Sequence, residues 1–456
     1  MSLQKILDEI DSRRQHHVED LFEFLRIPSI STYSQHTGDI RHAADWVSSR
    51  LARLGFRTRI HETARHPVVF AQGPQRPDRP TLLIYGHYDV QPPEPLAEWA
   101  TPPFSPSIRD GFVYARGATD DKGQFLTYIK AMEAILDVSG EIPVNVKVLA
   151  EGEEEIGSPS LEAFLRQCPE LFKADAVAIS DGSQCALGIP TITYSLRGLC
   201  YFQLDVQGPR MDLHSGIYGG IVVNPAQALA EILAKLKTPD GRVAIPGFYD
   251  DVLPLEKWES DELAALSPDE DDVKGYLGVS EFTGEQGFSV MERLTARPTL
   301  DVNGIWGGFA GEGAKTVIPA KAGAKVSLRL APRQESAAIS RLFREFVLSV
   351  TPPGVTLEIT ELQHGADPVL VSRGSTSVQA AARAIETGFG RAPVFLREGA
   401  SIPVVSLFKN VLGLEDILLL PWGRPDDGAH SPDERFSLED FHRGIRSAAA
   451  LFFELA

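Results

Sequence analysis

Five short segments concentrate histidines and carboxylates at spacings that suit metal chemistry. Gly86-His87-Tyr88-Asp89 follows an apolar run, and alternation along an extended chain puts His87 and Asp89 on one face. A carboxylate two residues from a histidine can accept one ring N–H, which fixes the tautomer and frees the other nitrogen for a cation. Alone, the pair equally fits a surface histidine beside an unrelated aspartate. Arg116 to Gly123 (RGATDDKG) is a glycine-bounded acidic turn opening a helix. One aspartate there serves as a cap and favours the helix dipole, whereas two adjacent ones exceed what a cap needs. Glu151 to Ser158 (EGEEEIGS) sets four carboxylates in five positions straight after an apolar strand ending at Ala150. Glu154 and Glu155 need not point the same way, so one can hold a metal while the other takes a proton from water. Asp181 follows another apolar strand, and His430 stands in GAHSP. Two histidines and at least three carboxylates could surround two divalent ions with one carboxylate shared, and mixed nitrogen and oxygen ligands suit zinc or manganese.

The elements that must position these segments alternate. Apolar residues recur at helical spacing over Leu3 to Leu25 and Arg41 to Leu54, and short buried strands are expected at Val68 to Phe70 and Leu82 to Tyr85. A helix over Gly123 to Leu136, a strand over Val144 to Ala150, a helix over Ser160 to Gln167 and a strand over Ala176 to Ser180 follow. That order predicts an α/β fold with a largely parallel sheet covered by helices, whose strand ends face a crevice. From about Pro190 the order becomes β-α-β-β-α-β: Gly198 to Val206, Pro225 to Lys237, near Leu300 to Trp306, Gly323 to Leu330, Glu335 to Val350, Val355 to Glu361. This is a ferredoxin-like α+β arrangement, interrupted by an acidic, loop-rich insertion over 240–297. After Pro368 the α/β pattern resumes, with a helix over Thr376 to Glu386, strands near Val394 to Leu396, Val404 to Phe408 and Ile417 to Leu420, and a last helix from Leu438 to Leu455. The expected organisation is a discontinuous metal-binding domain, 1–189 with 367–456, carrying an inserted domain, 190–366.

Bulk properties narrow the class. A chain of 456 residues exceeds one ordinary core. Its net charge of -18, from 62 acidic and 44 basic residues, opposes a nucleic-acid surface, which needs clustered Lys and Arg. No apolar run reaches the roughly 18 residues of a membrane span, and the charged amphipathic start is unlike a secretory signal. Cys168, Cys185 and Cys200 form no CxxC pair and no even disulfide set, which suits a reducing, cytoplasmic setting.

Taken together, GHYDVQP, RGATDDKG, EGEEEIGS, SDGS, MDLHSG, KTVIPAK, REGASIPV and GAHSPDE make the chain similar, over nearly its whole length, to the di-zinc metallopeptidases. That family includes carnosinase-like cytosolic dipeptidases, aminoacylase, succinyl-diaminopimelate desuccinylase and glutamate carboxypeptidase. The joint match is far more specific than any single motif. The resemblance implies that His87 and Asp181 bind one ion, Glu155 and His430 the other, and Asp120 both, with Asp89 orienting His87. It implies Glu154 as general base and Glu153 as an exposed neighbour. It also implies a cis bond between Asp120 and Asp121. His214, in the inserted domain, is implied as the donor to the carbonyl oxygen, from the same or the partner subunit. Arg329 is implied as the group holding a terminal carboxylate, with Thr316, His364, Gly399 and Ser401 lining the substrate pocket. The inserted domain is expected to act as lid and dimer surface, with Asp205, Gln207 or the helix from Pro225 to Lys237 at a two-fold interface. An aspartate at position 181 and the MDLHSG segment resemble the dipeptidase branch. A dipeptidase is therefore the first expectation, an N-acyl amino-acid deacylase or a carboxypeptidase the alternatives, and a non-catalytic metal-binding scaffold the remote one.

Overall fold

The computed structural model describes residues 2–267 and 269–456, and the side chains of Gln363 and His364 lie outside that description. The chain divides into two compact units: one of Met1–Tyr194, Val371–Leu396 and Leu407–Ala456, the other of Ser195–Leu370 and Arg397–Ser406.

The first unit is α/β. Its sheet runs in the order Arg57–His61, Val68–Gln72, Asn145–Glu151, Thr81–His87, Ala176–Ile179, Ile417–Leu419, Thr191–Leu196. The four strands from Asn145–Glu151 to Ile417–Leu419 are parallel, and their neighbours on both sides are antiparallel. Asn145–Glu151 and Ala176–Ile179 are buried at every position, as strands covered by helices on both faces must be. Helix Lys122–Ser139 contributes thirteen buried residues to this core. Helices Leu3–Ser12 and Leu438–Glu454 lie beside it. The chain's two ends thus close one layer.

The second unit holds an antiparallel sheet in the order Thr299–Gly307, Lys321–Leu330, Gly198–Gln207, Thr356–Ala366. With helices Pro225–Ala234 and Ser336–Val350 the connectivity is β-α-β-β-α-β, the ferredoxin-like order. Gly198–Gln207 alternates buried and half-buried residues. Its inward Cys200, Phe202, Leu204 and Val206 meet Ile232, Phe343 and Val347 from the helices, with the rings of Phe202 and Phe343 stacked at 4.4 Å.

Several local expectations are corrected. Val404 to Phe408 is not a strand: Pro403–Leu412 is a helix. Proline suits the first helical position, and Val404, Val405 and Phe408, all fully buried, follow the i, i+1, i+4 spacing of one helix face. The first amphipathic stretch is two helices, Leu3–Ser12 and Arg14–Leu25, broken at Arg13. The insertion contains three short helices, Lys257–Leu266, Glu270–Leu277 and Val290–Thr295, each with a side-chain cap or capping box. Strands Arg57–His61 and Thr191–Leu196 were not anticipated. Finally, Arg397–Ser406 groups with the second unit, because its polar anchors lie there. Arg397 pairs with Glu259, Gly399 with Arg197 and Ser401 with Arg329.

Candidate metal centre

Three neighbouring parallel strands deliver the first candidate ligands. His87 ends Thr81–His87 and sits in register with Glu151, three and four residues before Glu154 and Glu155. Asp181 follows Ala176–Ile179 on the other side. Their carboxyl ends form one edge of the sheet, where α/β folds display functional groups. Asp120 arrives from the turn before helix Lys122–Ser139. That turn is tight enough that a Cβ on Gly123 would lie 2.0 Å from the carbonyl oxygen of Ala118, and the Asp120–Asp121 peptide is cis. His430 comes from the loop before strand Arg435–Ser437, in a left-handed conformation (φ 64°).

The resulting geometry has Asp120 at its centre. Its Oδ1 lies 3.1 Å from Nε2 of His87, and its Oδ2 lies 2.9 Å from Nε2 of His430. His87 Nε2 is also 3.8 Å from Asp181, and His430 Nε2 is 3.2 Å from Glu155. Two ligand groups follow, His87–Asp120–Asp181 and Asp120–Glu155–His430. His87 and Asp89 are fully buried. Nδ1 of His87 is 3.4 Å from Asp89 Oδ1 and 3.1 Å from the Asp89 carbonyl oxygen. The two oxygens of Asp89 also accept the backbone N–H groups of Glu154 and Glu155. One carboxylate therefore lies against the buried ring of His87 and fixes the acidic turn beside it.

Electrostatics show what the cluster lacks. Burial raises Glu155 to about 7 and Asp181 to about 6, with the Asp120 charge adding to both. Burial also holds Glu154 well above the usual carboxylate range, reinforced by Asp181, Glu155 and Asp120. Burial opposes charge on His87, yet hydrogen bonds to Asp120 and Asp89 outweigh it and raise the ring's pKa. His430 is raised to about 10 by Asp120 and Glu155. Burial would lift Asp120, but the two histidines hold it low. Among the described residues, no lysine or arginine pairs with Asp120, Glu154, Glu155 or Asp181. Five acidic groups gathered around two imidazoles call for cations from outside. A third acidic group, His16–Asp20–Glu133, differs in this respect: the ammonium of Lys130 contacts both its carboxylates, and Arg50 sits 2.9 Å from Asp20.

In the second unit, His214 and Thr316 adjoin. Leu213–His214 pairs with Val317–Ile318, and the Ser215 N–H donates to the Thr316 carbonyl. Both side chains are exposed. Nδ1 of His214 accepts the Gly216 N–H at 3.0 Å, so the neutral ring carries its proton on Nε2. Arg329, half-buried, donates through Nη1 to Ser401 Oγ at 2.8 Å, and Gly399 accepts from Arg197 at 2.8 Å. The side chain of His364 lies outside the description.

Glu153 departs from its expected exposure. It is 2% exposed, and it accepts from Thr63 Oγ1, the His66 N–H, and both the N–H and hydroxyl of Ser160. An acidic run ordinarily faces water, but here the turn rotates this side chain under a neighbouring loop. Two residues were overlooked. Gln91, within GHYDVQP, donates to Glu155 Oε2 at 2.8 Å. Glu434, ending GAHSPDE, is fully buried and accepts from Arg116 Nη1 and the N–H groups of Gly117, Thr119 and Asp120. Both stood inside quoted motifs, and their signal was an uncharged or acidic side chain next to a ligand with no role yet given to it.

Comparison with known proteins agrees with this geometry. The pattern of the peptidase family M20/M25/M40 matches residues 83–454. The Cys-Gly metallodipeptidase of Schizosaccharomyces pombe is 36% identical, over 100% of this chain and 99% of that protein. The β-Ala-His dipeptidase of Homo sapiens is 31% identical, over 100% and 93%. The crystal structure of human carnosine dipeptidase 1 superposes with a TM-score of 0.83 at 31% identity, covering 100% of this chain and 99% of that one. An M20 family metallo-carboxypeptidase from Sulfolobus solfataricus gives 0.86 at 34% identity, covering 96% and 99%. With two groups that could hold metal ions gathered beside the strand ends and this similarity along its whole length, the chain belongs to the peptidase family M20/M25/M40.

Proposed function

We propose that this peptidase hydrolyses the amide bond of dipeptides at a pair of divalent ions, zinc first and manganese as the alternative. The observation that carries this reading is Asp120, whose two oxygens face different histidines. In it, His87 and Asp181 hold one ion, Glu155 and His430 the other, and Asp120 both. Bound ions would bring water towards deprotonation near neutral pH and polarise the scissile carbonyl. The chain's own groups do the rest. Asp89 holds the His87 tautomer. Glu154 accepts the proton of the attacking water and returns it to the leaving amine. His214 donates its Nε2–H to the oxygen on which charge develops. Arg329 pairs with the substrate's terminal carboxylate through its guanidinium fork, while Ser401, Gly399, Thr316 and His364 line the pocket. Names of the relatives, a Cys-Gly metallodipeptidase and a β-Ala-His dipeptidase, support the dipeptide. The Sulfolobus solfataricus neighbour favours carboxypeptidase action as the second reading, which would use Arg329 in the same way.

We further propose a homodimer formed through the second unit, which would serve as the dimerisation domain beside the catalytic one. Thr299–Gly307 is an edge strand with Val302, Ile305 and Trp306 exposed, and an unpaired apolar edge is an association surface. A cytoplasmic setting fits three free cysteines. Among the described residues, no helix is long and apolar enough to cross a membrane. The deciding experiment supplies metal-stripped protein with zinc or manganese, then dipeptides, N-acyl amino acids and N-blocked longer peptides. Metal-restored cleavage of free dipeptides is expected; cleavage confined to blocked substrates would replace the reading with carboxypeptidase or deacylase action. Sedimentation should give a dimer.

A further inference from the structure

The insertion over 240–297 has no part in the chemistry above, yet its polar contacts converge on residues 397–402, the end of strand Val394–Glu398 and the loop that follows it. Glu259, on helix Lys257–Leu266 and 4% exposed, accepts from Nε and Nη2 of Arg397, itself 1% exposed. Two residues further on, a Cβ on Gly399 would lie 2.2 Å from the carbonyl oxygen of Leu294 on helix Val290–Thr295. Loop and insertion backbone are thus in direct contact, which only glycine permits. Arg197 completes the clamp. Its Nε donates to the Gly399 carbonyl at 2.8 Å and its Nη1 to the Arg297 carbonyl at 3.1 Å. The carbonyl of Arg197 accepts from Ser401 Oγ, and Ser401 Oγ accepts from Arg329. The insertion is braced internally. Glu285 takes two hydrogen bonds from Arg297 and one from Arg242, and Ser260 links to Glu292 across the two helices.

Among the described residues, Ser401 is the one hydrogen-bond partner of the Arg329 guanidinium. A half-buried guanidinium with a single neutral partner has donors left for an anion, and their direction depends on where Ser401 is held. We propose that the insertion is a buttress that sets the segment over 397–402, and that Glu259 and Arg397 are positioning residues for recognition of a substrate carboxylate by Arg329. This rests on the dipeptide reading above. Rigid support of a binding group from behind governs how precisely it meets its ligand.

The test compares a dipeptide with its C-terminal amide on the metal-loaded protein. Glu259→Gln keeps the side-chain shape and removes the charge that fixes Arg397. Its KM for the dipeptide should rise about tenfold with kcat within about twofold, the signature of lost binding shared by ground and transition states, while KM for the amide stays unchanged. Deuterium uptake at residues 398–402 should rise in the same variant without substrate. Arg397→Lys, which keeps the ion pair but not the fork, should move both readouts in the same direction by less, and it carries the test if Glu259→Gln does not fold. Equal KM changes for dipeptide and amide, or unchanged uptake at 398–402, would overturn the buttress. A wild-type protein that does not distinguish dipeptide from amide would instead remove the role of Arg329, leaving the uptake measurement to decide the buttress alone.

Discussion

Because each oxygen of Asp120 serves a different histidine, and Glu155 and Asp181 each lie beside one, Glu154 is the carboxylate left over. Among the described residues its side chain has no hydrogen-bond partner, although its backbone is pinned by Asp89. A carboxylate that binds no ligand neighbour and is kept basic by burial suits proton transfer. Replacing Glu154 with Gln preserves volume and abolishes the basic oxygen. It should lower kcat by about 10² to 10⁴ with two ions still bound per chain, read by steady-state kinetics beside metal analysis. A variant that keeps wild-type kcat would take the base role from Glu154. That His87 and Asp181 lie at the ends of buried strands was legible from spacing, because apolar runs mark where such strands stop. The contrast between Glu153 and Glu154 was not, since neighbours in an acidic run look alike until a turn sends one under the Thr63–His66 loop and the other towards Asp120.

The turn that presents Asp120 is held by another element's residue. Glu434 is anchored beside strand Arg435–Ser437 and receives Arg116 together with three consecutive-turn N–H groups, the last belonging to Asp120 itself. Arg116 is 1% exposed, so deleting its partner strands a buried charge. Glu434→Ala should cost about 3 to 5 kcal/mol of stability, measured as a lowered urea midpoint, whereas Glu434→Gln, retaining one acceptor oxygen, should cost less. An alanine variant within about 0.5 kcal/mol of wild type would show that the turn holds itself. Element types were largely readable from periodicity, which reports which face is buried. Pro403–Leu412 misled because a run of five mostly apolar residues satisfies strand and helix alike. The outcome was set by Pro403 at the helix start and by burial of Val404, Val405 and Phe408 on one side.

Across the whole chain, helix Arg14–Leu25 and the last helix, Leu438–Glu454, bring His17 and His442 together, their rings 6.1 Å apart and both nearly inaccessible. Burial, with Lys130 nearby, lowers His17 to about 3; burial, with Arg14 nearby, lowers His442 to about 4. An unfolded chain protonates such rings near pH 6.5, so from about pH 6.5 down to about pH 3, where the second of the two buried rings takes up its proton, the unfolded state binds more protons and stability falls as pH drops. The contribution is complete above pH 6.5. Converting both histidines to Gln should flatten this dependence, reducing the difference in urea midpoint between pH 7.5 and pH 5; an unchanged difference would show that other groups carry it. No spacing within 456 residues pairs position 17 with position 442. The amino-acid order carried the candidate ligand types, the alternation that builds the α/β sheet and the β-α-β-β-α-β order of the second unit, because these depend on residue chemistry and local periodicity. Which glutamate of the acidic run is buried as a brace, and that the acidic insertion clamps the segment over 397–402, depended on tertiary packing. These contacts join residues tens to hundreds of positions apart, and their partners are chosen by how the packed elements meet, a property that local pattern does not contain.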